Sequence, residues 1–287
     1  MTTLQASVVN HPLAAPTADD FRSALRAVTG YAADEVWAQV CRAAQLDPLC
    51  SELSGVQMTA LAAAISDRPG RVGLLGRDIG ARVATYRALA DVGEPDAAAV
   101  TSAPAPRART ASSAERLDEI VDLDLFSPAN REALDNEARE VAATFGASVG
   151  LVSIVLDHAQ LFAGAHGLEG WLEGTQGTPV EWSLCATTAG RRQPYVVPDA
   201  SADPVLRTNP LVAHDGVTSY AGVPMITSTG QVLGAFCLID PVARIYSQTD
   251  IAMLQSMADE IVATLETRRL SRLVGGTDPV GRAARRA

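Results

Sequence analysis

The stretch "SYAGVPMITSTGQVLGAFCLID", Ser219 to Asp240, decides the fold. Two runs of apolar and β-branched residues flank Ser228-Thr229-Gly230, the composition of a tight reversal, so it reads as a β-hairpin. The same pattern occurs upstream. "SVGLVSIVL" (Ser148 to Leu156) turns at Asp157-His158 and returns as "AQLFAGAHG". Hairpins build antiparallel sheets. "PYVVPD" (Pro194 to Asp199) adds a short strand that proline ends. Helical periods bracket the hairpins. Leu134, Ala138, Val141 and Phe145 follow Ser127-Pro128, a cap and a proline at the first helical position. "SQTDIAMLQSMADEIVATLETRRL" closes the region as a long helix capped at Ser247 or Thr249. Together these predict an α+β domain: an antiparallel sheet, flanking helices on one face, and an irregular middle able to form a pocket.

Toward the N-terminus the period is purely helical. Phe21, Leu25 and Val28 form one stripe, and Val36, Trp37, Val40, Cys41 and Ala44 a second. Met58, Leu61 and Ile65 form a third, and Leu75, Ile79, Val83, Tyr86 and Ala90 a fourth. These spacings predict a small all-α helical bundle. Asp78 and Arg82 are spaced to pair on its last helix. Gly73, Gly76 and Gly80 lie along that helix rather than after a strand. They suit close helix packing and not a dinucleotide fingerprint. "GEPDAAAVTSAPAPRARTASSA" then breaks every period. The expected organisation is a flexible tail (1–17), a helical domain (18–92), a linker (93–114), a sheet domain (115–270) and a disordered tail (271–287).

Composition narrows the function. All 23 basic residues are arginine, which excludes a Schiff-base or phosphate-loop lysine, and the net charge is −10. Nucleic-acid binding, which draws on basic surface, is disfavoured. No apolar run is long enough for a bilayer, and the N-terminus lacks the basic start and apolar core of a signal peptide. Cys41, Cys50, Cys185 and Cys237 are scattered and form no close pair in sequence. A reduced, cytoplasmic protein is the expectation.

The sheet domain resembles a GAF domain, the small-molecule sensor fold related to PAS. The likeness spans nearly all of Val121 to Leu265. It is carried by "GLVSIVLDHAQLFAGAHGL", "SLCATTAG", "YVVPDASADP", "NPLV", the opening hairpin and the closing helix, in order. The resemblance implies a ligand cavity on one sheet face with a lid from Thr178 to Leu211. Ligands in the family include cyclic nucleotides, haem, bilins, amino acids and oxoacids, and many members only dimerise. Such domains usually precede an output domain, and none follows here, so output is expected from the bundle or a partner protein. The resulting expectation is a regulatory protein without catalysis of its own.

Candidate pocket residues are Trp182, Cys185, Asp199, Arg207, Asn209 and Tyr220. Trp182 could stack on a planar ligand or pack the lid. Arg207 could clamp an anion, Asp199 could cap a short helix, and Tyr220 could present its hydroxyl or fill core. Cys185 reads as a buried small residue. Its rival reading is the nucleophile of a thiol-dependent sulfoxide reductase or redox sensor, with Cys237 as resolving thiol. The cofactor is left unknown. Bilin attachment lacks its Cys-His pair, since Ala186 follows Cys185, and haem would rest on a lone His166 or His214. No histidine pair has a metal-ligand spacing. Ile251, Leu254, Ala258, Ile261 and Leu265 step as a short heptad and are expected to form a homodimer seam. A last reading makes the bundle a DNA-binding unit through Arg71, Arg77, Arg82 and Arg87.

Overall fold

The computed structural model describes residues 13–90 and 113–275, so most of the expected tails and linker lie outside the described residues, while residues 271–275, expected in the disordered tail, are helical. Four helices come first: α1 (Ala18–Thr29), α2 (Ala33–Ala43), α3 (Gly55–Ser66) and α4 (Gly70–Ala90). Thr17 with Asp20, and Ser54 with Gln57, close capping boxes on α1 and α3, satisfying amide protons that no helical carbonyl reaches. The four stripes meet as expected. Phe21, Leu25, Trp37, Val40, Leu61, Ile65, Leu75, Ile79 and Val83 form one buried cluster. The crossing of α3 and α4 depends on Gly76, where an added Cβ would lie 2.2 Å from the backbone nitrogen of Ser66.

α5 (Ala114–Leu123) and α6 (Pro128–Phe145) lead into the sheet domain. Its strands are β1 (Val149–Val155), β2 (Ala159–His166), β3 (Gly177–Pro179), β4 (Tyr195–Val197), β5 (Ser219–Ile226) and β6 (Val232–Asp240). They form one antiparallel sheet in the order β3-β2-β1-β6-β5-β4. Between them lie α7 (Trp171–Thr175), α8 (Leu184–Arg191) and α9 (Pro210–Ala213), and α10 (Gln248–Gly275) is the last described element, with Ser247 bonded to Asp250 at its start. The α+β expectation holds, with one refinement. α5, α6 and α10 cover one face, while α8 and the lid cover the other, so the sheet is buried on both sides.

The heptad row has a different partner from the one expected. Leu254, Ala258, Ile261 and Leu265 are buried in the sheet domain's own core, and Ile251 packs on its border. Each large apolar side chain placed there contributes about 2 kcal/mol to this chain's own fold. The homodimer seam is therefore corrected: β5 already fills that face. The same 3-4 spacing serves a coiled coil and a helix lying on a sheet.

α4 joins the two parts. Leu75, Ile79 and Val83 face the bundle, whereas Leu74 and Ala81 belong to the core under the sheet. Asp78 and Arg82 do not pair with each other. The Asp78 carboxylate accepts from the amides of His158 and Ala159 in the β1–β2 turn, the latter at 2.8 Å. Arg82 donates to Glu181 at 2.7 Å. Arg71 bonds Asp118 through two nitrogens. Two of the four arginines offered for DNA are thus committed to the sheet domain.

Candidate functional site

The face of the sheet beneath α8 holds a cluster of buried polar groups. Tyr220, on β5, is fully buried, and its ring crosses Gly222, where a Cβ would lie 2.0 Å from the phenol oxygen. That glycine is what lets the hydroxyl reach Thr188 on α8, at 2.7 Å. Cys185, in the first turn of α8, meets Cys237 of β6 with 3.5 Å between sulfurs. The cysteines scattered in sequence thus include a pair in contact, both thiols free. Hydrogen bonding from the Cys237 thiol draws the Cys185 thiol below its ordinary value against the opposing effect of burial. Donating that bond, together with burial, drives Cys237 well upward. Burial likewise drives the Tyr220 phenol upward. Both sulfurs are nearly inaccessible, at 2% and 0% exposure, so a sulfoxide would have to displace α8 to be attacked. Ser183 caps α8 by accepting from the amide of Ala186 at 2.9 Å and also donates to Gln160 of β2. Ser153 of β1 shares that Gln160 oxygen at 3.3 Å.

Over this cluster lies the lid. Trp182 packs edge-to-face on Trp171, with ring centres 6.5 Å apart. Asn209 caps α9 by accepting from the amide of Leu211, and donates to the Trp182 carbonyl at 2.9 Å. Trp171 donates its indole N–H to Asp215 at 2.9 Å. Asp215 is fully buried, and desolvation pushes its carboxyl from 3.8 to about 7.

Of the expected site residues, the fold brings Trp182, Cys185 and Tyr220 into one cluster and ties Asn209 to it through the Trp182 carbonyl. Asp199 and Arg207 stay outside. Asp199 accepts from Ser201 and Ala202 in a turn rather than capping a helix, and Arg207 is exposed on a short 3-10 turn. Sequence reasoning missed Thr188, Gln160 and Asp215. A threonine in a small-residue helix, a glutamine inside a strand and an aspartate in a loop look like surface residues until the lid folds over them.

The Asp215 carboxyl sets a pH dependence. It keeps its proton up to about pH 7 in the folded protein, where an ordinary aspartate loses it near 3.8. Folded stability from this group is therefore fully present below about pH 4 and declines as pH rises to about 7. Asp215→Asn, which keeps an acceptor for Trp171 and never ionises, should be the more stable protein at pH 8, by about 2 kcal/mol, after discounting the full shift. That advantage should vanish near pH 4. Urea unfolding at both pH values measures it, and a difference independent of pH would contradict the assignment.

Residues 130–265 match the family model described as GAF domain. A cyclic di-GMP phosphodiesterase of Pseudomonas aeruginosa is 31% identical over 156 residues, 52% of this chain and 25% of that protein. The chain thus spans about a quarter of the length of this curated relative. Among solved structures, the blue-light-absorbing form of the Thermosynechococcus elongatus PixJ GAF domain is 15% identical, with 52% of this chain and 93% of that one covered and a TM-score of 0.43. A type II free methionine-R-sulfoxide reductase from Thermoplasma acidophilum is also 15% identical, covering 50% and 96%, with a TM-score of 0.41. The GAF assignment of the C-terminal half holds, and a sensor or regulatory role is what the domain and the relative support. The expectation of a protein without enzymatic activity is corrected, because the curated relative is named an enzyme. Among the described residues no helix is long and apolar enough to cross a membrane.

Proposed function

We propose that the GAF domain at residues 130–265 senses a small ligand, or its own state of association, and passes the result to the helical module through α4. The module is the unit we assign to residues 18–92, and the output we assign to an enzymatic activity that it regulates. The observation that carries the reading is the tie between Arg82 of α4 and Glu181, adjacent to the lid tryptophan Trp182. The segment over the buried cluster is bonded directly to the helix that organises the bundle. A lid movement would change the seating of α4, and the seating of α4 would bias the lid by the same free energy.

A homodimer is part of the proposal. With the heptad row buried, its apolar surface would be Leu270 and Leu273 near the end of α10, both more than half exposed.

Hydrogen exchange on the full chain tests the coupling. Trp182→Phe, which thins the lid without emptying it, should raise amide exchange in α4 as well as in the lid. Arg82→Ala should abolish the α4 response and leave the lid response in place. Exchange in α4 that ignores the lid substitution would refute the reading.

A further inference from the structure

Between the bundle and the sheet domain lies a cleft of about 440 Å³, away from the thiol cluster. α3 and α4 form one wall, and β2 with the α7–β3 connection forms the other. Its charged lining is one-sided. Arg77, Arg87 and Arg131 contribute guanidinium groups, and among the described residues no carboxylate lines the cleft. Among the described residues neither Arg77 nor Arg87 has an ion-pair partner. Arg77 lies over the Phe126 ring, 5.4 Å from its centre, and Arg87 donates to the Thr59 hydroxyl at 2.9 Å. Among the described residues the ion-pair contact of Arg131 is a long one to Asp135, at 3.7 Å, and that carboxylate also accepts from the amide of Ala165 at 2.8 Å. Guanidiniums spread along one cleft without an acid among the described lining residues give it a cationic wall that favours an anion, and the guanidinium fork matches phosphate oxygens. Ala84, Leu161 and Phe162 supply apolar lining, beside the polar Thr59, Ser66, Thr175 and Gln176.

We propose that this cleft binds a small organic phosphate, its phosphate drawn to the arginine lining and its apolar or aromatic body laid on Ala84, Leu161 and Phe162. The volume suits a molecule of ordinary metabolite size. Bound there, the ligand would touch both parts of the chain and hold α4 against the sheet. The proposal does not depend on the lid coupling above.

Isothermal titration of the full chain with phenyl phosphate, and separately with inorganic phosphate, tests it. Phenyl phosphate should bind, and more tightly than inorganic phosphate by about tenfold, since burying a ring contributes where the anion alone cannot. Arg77→Gln and Arg87→Gln should each weaken phenyl phosphate binding at least tenfold. Arg192→Gln, at the end of α8 where the side chain donates to the Gly230 carbonyl, should leave it unchanged. Circular dichroism on each variant confirms that the fold persists. Absence of binding, equal affinity for the two probes, or binding indifferent to Arg77→Gln and Arg87→Gln would each overturn the proposal.

Discussion

Arg116→Met is expected to remove about 3 kcal/mol or more of folding stability, the largest effect of any single polar substitution in this protein. Arg116 projects from α5 and is only 4% exposed. Its guanidinium donates to the carbonyls of Val155 at the end of β1 and of Val232 and Leu233 at the start of β6. Those carbonyls lie just beyond the Ile154–Gly234 pair at which the β1–β6 register ends. Burial holds the guanidinium below its ordinary value, with Asp157 and Asp78 nearby opposing that shift. Methionine fills similar space but donates nothing, so several acceptors lose their partner at once, each costing about 1–3 kcal/mol when buried. A urea midpoint measured against the wild type reads the loss. A change below about 1 kcal/mol would mean that water reaches the strand ends when the side chain is shortened.

The second large effect is Asp78→Ala, for which about 2–3 kcal/mol is expected, with a sharp local signature. Asp78 is 3% exposed, and desolvation raises its carboxyl well above the ordinary value even though two backbone amides donate to it. Its loss leaves the amides of His158 and Ala159 without an acceptor at the bundle boundary. Exchange at those two amides should rise more than at any strand position of the hairpin. Asp78→Asn keeps one acceptor oxygen and should cost less than half as much. Equal losses for the two variants would show that the carboxylate acts through charge and not through its bonds to the turn.

How much of this was legible depends on the residue. The stripe Leu75, Ile79, Val83 was readable, because apolar residues at helical spacing have one common explanation. The opposite stripe of the same helix, Leu74, Asp78, Ala81 and Thr85, is just as buried, yet it carries an acid, a small residue and a hydroxyl. No hydrophobic period marks it, so the docking of the bundle was invisible, and Asp78 was assigned to the nearest arginine instead of to the turn. The heptad on α10 shows the reverse failure: a clear period whose partner the sequence does not specify. Tyr220 and Cys185 were placed in the cluster because the ordered GAF-like segments constrain them. Asp199 and Arg207, on irregular backbone, were free to turn outward.

The two outermost strands of the sheet carry a last consequence. β3 and β4 are each three residues long. β3 ends in Pro179, and α4 stands beside it, with Thr85 donating to the carbonyl of Gly177 at 3.4 Å. β4 is followed by Pro198, which has no amide proton to offer. Unpaired strand edges are the usual template for recruiting another chain into a sheet, and short strands, proline and a covering helix are the usual ways to blunt them. Both edges here are blunted, one of them by a helix from outside the GAF domain. That helix therefore also guards against aggregation: when α4 lifts, the shielded margin of β3 is uncovered.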